Sequence, residues 1–70
     1  MPKKTTTGHR IKKAREDAGM TQRDLAEQLG VESQTVSRYE CDRVVPEPVR
    51  FVALAEALET TASWLHYGGR

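Results

Sequence analysis

From His9 onward, apolar and polar positions recur with a helical period. Ile11, Ala14, Arg15 and Ala18 fall at i, i+3, i+4 and i+7, while Lys12, Lys13, Glu16 and Asp17 occupy the opposite side. The spacing predicts a first helix with Thr7 as its N-cap and Gly19 as its left-handed stop. A second helix is predicted from Thr21, where Asp24 three residues on completes a variant of the capping box. Leu25, Ala26 and Leu29 form its apolar face, and Gly30 ends it. Gly30-Val31-Glu32 leads into a third segment, Ser33 to Glu40, with Val36 and Tyr39 inward and Ser33, Gln34, Ser37 and Arg38 outward. Glu32 is a weak N-cap, and Ser33 serves if the start shifts by one residue. Cys41 to Pro46 reads as a loop. Pro48 suits the first turn of a fourth helix, with Phe51, Val52, Leu54, Ala55 and Leu58 as its inward set. Thr61 then caps a short fifth helix around Ala62, Trp64 and Leu65, stopped by Gly68 and Gly69. No segment alternates with period two, so the fold class predicted is all-α.

Seventy residues hold one small domain. At this size only about 60% of the unfolded surface is buried, so the core must be economical. Residues 1–8 contain nothing apolar enough to offset the entropy of ordering them, and they read as a flexible basic arm before a domain at 9–70. No run of 18 apolar residues exists, and no apolar stretch follows Lys3 and Lys4, which argues against a membrane span and a signal peptide. A single cysteine, Cys41, makes neither an internal disulfide nor a cysteine-type zinc site. These features suggest a cytoplasmic domain held by helix packing, with no metal and no cofactor. The net charge of +1 conceals an asymmetry. Residues 1–23 carry seven basic side chains against two acidic ones, and residues 24–70 carry four against eight. A basic first third suits an anionic partner met by one face, and it equally suits a solvated helix surface.

Catalysis finds little support. His9 and His66 stand near opposite ends, and no nucleophile-elbow, zincin or phosphate-loop pattern occurs. Cys41 reads as an inert packing residue.

The informative segment is residues 21–40. Two short helices joined by a three-residue turn with a glycine make a helix-turn-helix pattern. Ala26 is small where the helices cross, Val31 plugs the turn, and Leu25, Leu29 and Val36 form the wedge between them. One face of the third helix is left free, with short polar residues and an arginine, the types that reach base edges in a major groove.

These residues resemble the Xre-like helix-turn-helix family of phage repressors and Cro proteins. The likeness runs from about Arg10 to Gly68. It is carried by Met20-Thr21-Gln22, Leu25-Ala26, Leu29-Gly30-Val31, Thr35 to Glu40, Leu54 to Leu58 and Trp64-Leu65. The resemblance implies a five-helix domain whose third helix enters the major groove of double-stranded DNA. It implies base reading by Ser33, Gln34, Ser37 and Arg38, and backbone contacts by Gln22 and Thr35, with Gln22 also bracing the reading helix. Arg10 and Arg43 join the backbone set as candidate phosphate cations. Arg15 and Glu40 match a buried ion pair that ties helix one to the end of helix three.

The sequence departs from the family pattern at three places. Cys41-Asp42 stands where an αL-tolerant pair is usual, Glu59 replaces a glycine after helix four, and Glu32 replaces a hydroxyl cap. An acid at 42 is ill suited to phosphate, which leaves Arg43 as the loop's candidate. The leading expectation is a transcription repressor binding a palindromic operator as a homodimer, because one module of this size makes few contacts. The dimer contact is expected at Trp64, His66 and Tyr67 with the Val44–Pro46 loop. Two other roles suit the same fold. One is a protein-binding module such as an antitoxin or adaptor. The other is an activator touching RNA polymerase through Asp24 and Glu27.

Overall fold

The start of helix α1 (Thr7–Asp17) is set by Thr6, whose hydroxyl accepts from the His9 amide at 3.1 Å. The computed structural model describes residues 6–67, the side chains of His66 and Tyr67 excepted. The cap is therefore one residue earlier than expected, and Gly8, assigned from sequence to the arm, is a buried residue of the helix. Thr6 and Thr7 of the predicted arm also belong to this helix start, and its residues 1–5 lie outside the described residues.

Helix α2 (Gln22–Leu29) begins with the expected capping box. The Asp24 amide donates to the Thr21 hydroxyl and the Thr21 amide to the Asp24 carboxylate, both at 3.0 Å. These bonds hold the Asp24 carboxyl below its usual range, the Thr21 amide contributing most. Gly30 ends α2 at φ 74°, and the Val31 amide closes the turn on the Ala26 carbonyl at 3.0 Å. Helix α3 (Ser33–Glu40) starts after Glu32, which supplies no side-chain cap. Helix α4 (Pro48–Leu58) places Pro48 in its first turn. Helix α5 (Ala62–Tyr67) follows Thr61, whose hydroxyl accepts from the Trp64 amide at 3.1 Å. The described residues contain five helices and no strand, so the all-α expectation stands.

Each helix sends one fully buried side chain to the centre: Ile11, Leu25, Val36, Leu54 and Leu65. Tyr39, Phe51, Ala55 and Leu58 pack around them, and Ala26 is 2% exposed at the crossing where its small size was expected. Three expectations fail. Val52 is 53% exposed, because α4 buries the stripe of Phe51, Leu54, Ala55 and Leu58 and turns Val52 to the far side. Ala18 is exposed because it already belongs to the end of α1. Cys41 is also exposed, standing at the C-cap of α3 rather than in the core.

Candidate nucleic-acid interface

The angle of α3 is fixed by one carboxylate. Arg15 Nε donates to Glu40 Oε2 at 2.6 Å and Arg15 Nη2 to Oε1 at 3.3 Å, a two-pronged pairing. Gln22 Nε2 donates to Oε1 as well, at 2.9 Å, and Arg15 Nη1 reaches the Met20 carbonyl at 2.8 Å. The side chains are 11% and 3% exposed, so the pair is desolvated and fully bonded. One guanidinium thus joins α1, the turn after it, and the end of α3, while Gln22 brings in α2. The expected ion pair is present, and so is the bracing by Gln22.

A second tie lies beside it. Asp42 adopts φ 60°, and its carboxylate accepts from the Gly8 amide at 2.9 Å. The carboxylate thereby meets the electropositive start of α1. The chains approach so closely that a Cβ on Gly8 would stand 2.5 Å from the Tyr39 carbonyl oxygen and 2.6 Å from that of Glu40. Asp42 is therefore occupied by the fold, which leaves the exposed Arg43 as the basic group of this loop. Neither Gly8 nor Asp42 was singled out for this contact from sequence, since 34 positions separate them. Arg50 was also missed: from α4 it donates to the Leu29 carbonyl at 3.1 Å and holds the end of α2.

With its inner side locked, α3 turns its other face outward. Ser33, Gln34 and Arg38 are exposed and Ser37 and Thr35 are half-buried. A hollow of about 660 Å³ between α2 and α3 brings Gln22, Val31, Glu32, Ser33, Gln34 and Ser37 together. Arg10 does not join this surface. It is 7% exposed and turned inward, with Nε donating to the Leu65 carbonyl at 3.0 Å and Nη2 to the Thr7 hydroxyl at 3.4 Å. Its assignment to the phosphate-facing set is corrected: it is a structural cation between α1 and α5, because burial demands that its donors meet carbonyl and hydroxyl oxygens.

Exposed valines stand in the loop after α3 and along α4. Val44, Val45, Val49 and Val52 are 45%, 71%, 80% and 53% exposed. Val45, Pro46, Pro48, Phe51, Val52 and Ala62 line an open hollow of about 570 Å³. Trp64 faces elsewhere, half-buried beside Ala14, Ala18 and Leu58. Within one chain Trp64 and the Val44–Pro46 loop thus line different surfaces, and the side chains of His66 and Tyr67 lie outside the described residues. Among the described residues no cluster of metal-ligating side chains occurs, and no helix is long and apolar enough to cross a membrane.

A helix-turn-helix family model matches residues 11–65. No curated protein matches the sequence significantly. Among solved structures, the P22 c2 repressor in complex with a synthetic operator is similar with a TM-score of 0.90 and 26% identity, over 94% of this chain and 100% of that one. SinR, a master regulator for biofilm formation solved in complex with DNA, is similar with a TM-score of 0.79 and 26% identity, over 86% and 97%. A hypothetical transcription factor from Neisseria, NHTF, is similar with a TM-score of 0.80 and 26% identity, over 87% and 70%.

Proposed function

The chain belongs to the helix-turn-helix family of Xre-like and phage-repressor proteins, DNA-binding transcription regulators rather than enzymes, and on that premise we propose that it is a repressor binding a palindromic operator as a homodimer. The observation that carries this reading is the contrast between the two sides of α3. Glu40 is locked inside by Arg15 and Gln22, while the side chains of Ser33, Gln34 and Arg38 bond to no described residue and face outward. A rigid helix with a free polar face is what base reading in the major groove requires.

Ser33, Gln34, Ser37 and Arg38 are assigned to base edges. Gln22, Thr35 and Arg43 are assigned to the sugar-phosphate backbone; Gln22 retains amide capacity beyond its bond to Glu40. The exposed valines of the loop and α4 supply the dimer contact, since a contiguous apolar patch on a small domain marks an interaction surface. Two copies joined there would present two α3 helices to half-sites about 34–36 Å apart. The polymerase-contacting role draws less support. Asp24 is engaged in the capping box and Glu27 lies 3.9 Å from Arg23 on an exposed helix face.

Selection of bound sequences from a random duplex pool tests DNA binding, site and symmetry together. The expected result is a two-fold-symmetric site. Gln34→Ala and Arg38→Ala should each reduce specific affinity by about 1–3 kcal/mol while sparing random duplex. Each phosphate contact removed, as in Arg43→Ala, should lower the slope of log affinity against log salt by about 0.9. Equal losses on operator and random duplex would remove Gln34 and Arg38 from the reading set. Binding that stays flat with salt would remove the DNA reading altogether.

A further inference from the structure

Of the side chains around the hollow between α2 and α3, Glu32 has no role in the contacts described so far. It holds the N-cap position of α3 at φ −81° and ψ 152°, the conformation in which a cap accepts from the first helical amides, yet its carboxylate makes no such bond. It is exposed and forms no ion pair among the described residues; Arg23, on the same rim, lies 3.9 Å from Glu27 instead. A serine or aspartate here would also bond the first helical amides, so what the glutamate gives to folding is confined to its charge at the helix start.

We propose that Glu32 is a specificity-determining residue of the reading face, accepting a hydrogen bond from the exocyclic amino group of a cytosine in the major groove. The proposal rests on the DNA-reading assignment above. Glu32 immediately precedes Ser33 and Gln34 and shares their hollow, and the first residues of a reading helix are the ones that meet base edges. An ionised carboxylate only accepts hydrogen bonds. The donors in the major groove are the amino groups of cytosine and adenine, and adenine sets its N7 acceptor beside the donor, where it repels a carboxylate. Guanine and thymine offer acceptors and a methyl group. Glu32 therefore acts in two directions. It favours cytosine, and at any other base it leaves a desolvated charge without a partner. On random duplex the same charge opposes the phosphates and weakens sequence-independent binding.

The test compares the full chain with Glu32→Gln and Glu32→Ala, by selection from a random duplex pool and by affinity for one random duplex. The wild type should select cytosine at one fixed position of each half-site. Glu32→Gln, whose amide both donates and accepts, should move that preference to adenine. Glu32→Ala should lose about tenfold in discrimination at that position alone and bind random duplex more tightly. Melting temperatures of the two variants should agree and lie within a few degrees of the wild type, because the side chain is exposed, makes no capping bond and gives up only its charge at the start of α3. A wild type that selects a defined site, with variants that select the same bases and keep the same random affinity, would overturn the role of Glu32 and leave the DNA reading intact. A wild type that selects no duplex would overturn the DNA reading itself.

Discussion

The region where α1 meets the end of α3 and the outer face of α4 are built from opposite chemistry. The first is polar and closed: Arg15, Glu40 and Gln22 form a desolvated network, and Asp42 holds the Gly8 amide beside it. The second is apolar and open, with Val49 80% and Val45 71% exposed. Hydrogen bonds and ion pairs are directional, so the closed region sets the angle of α3 to within the tolerance of a groove. Apolar contact is non-directional and scales with area, which suits association with another surface. The difference teaches that this small domain uses charge inside, to aim a helix, and leaves hydrocarbon outside, where the proposed dimer contact lies.

Breaking the closed region should have the largest effect. Removing one member of a buried pair leaves an uncompensated charge and costs about 3–5 kcal/mol. A domain of this size has about 5 kcal/mol in total. Glu40→Ala should therefore substantially unfold the protein and abolish DNA binding, although Glu40 reads no base. Replacing Arg15 and Glu40 together by Met and Leu should restore much of the stability. A Glu40→Ala melting temperature within a degree or two of wild type would show that the pair carries no weight.

Gly8→Ala comes next. In an ordinary helix this change stabilises by about 1 kcal/mol. Here the added Cβ would meet two backbone carbonyl oxygens at 2.5 and 2.6 Å, so the sign should reverse. A loss of about 1–3 kcal/mol is expected in denaturant unfolding, and any gain would show that the α1–α3 approach is loose.

The two non-glycine residues at positive φ sharpen the contrast. Glu59 at φ 57° has no side-chain hydrogen bond among those described, whereas Asp42 at φ 60° gains the Gly8 amide. Glu59→Gly should relieve backbone strain and stabilise by about 0.5–1 kcal/mol, seen as a higher melting temperature. Asp42→Gly should not stabilise, because relief of strain is offset by the lost bond. Equal gains from both would mean that the Asp42 contact contributes nothing.

The smallest change in stability should come from the open face. Val49→Glu alters a side chain already in water, so unfolding should shift by less than about 0.5 kcal/mol. Its effect should appear in association instead. Sedimentation should show a monomer in place of the dimer proposed for the wild type, and affinity for a two-half-site operator should fall toward that for a single half-site. A variant that still dimerises would move the contact away from this face.

Most elements were legible because their signals are local. The Thr21–Asp24 capping box, the Gly30 stop and the period of α3 each involve residues within one or two turns, and all stand where the sequence placed them. The Arg15–Glu40 pair was legible for a different reason. A charge on the apolar stripe of α1 must meet a partner, and the family resemblance pointed to which one. The error at Val52 came from an apolar side chain that the helical period permits on either side of α4, where only packing against the rest of the domain decides.

The sequence alone determined five helices, the caps at Thr21 and Thr61, the turn between α2 and α3, and which face of α3 stays free. All of these follow from backbone preferences and side-chain spacing over a few residues. Only the tertiary structure decided that Arg10 is an interior cation, since the Leu65 carbonyl that receives it lies 55 positions away. It alone brought Gly8 under the end of α3, and it alone separated Trp64 from the exposed valines. The physical reason is common to all three. A cation takes whichever oxygens the fold sets beside it, and an apolar side chain takes whichever surface lies opposite. Neither partner is specified by nearby sequence.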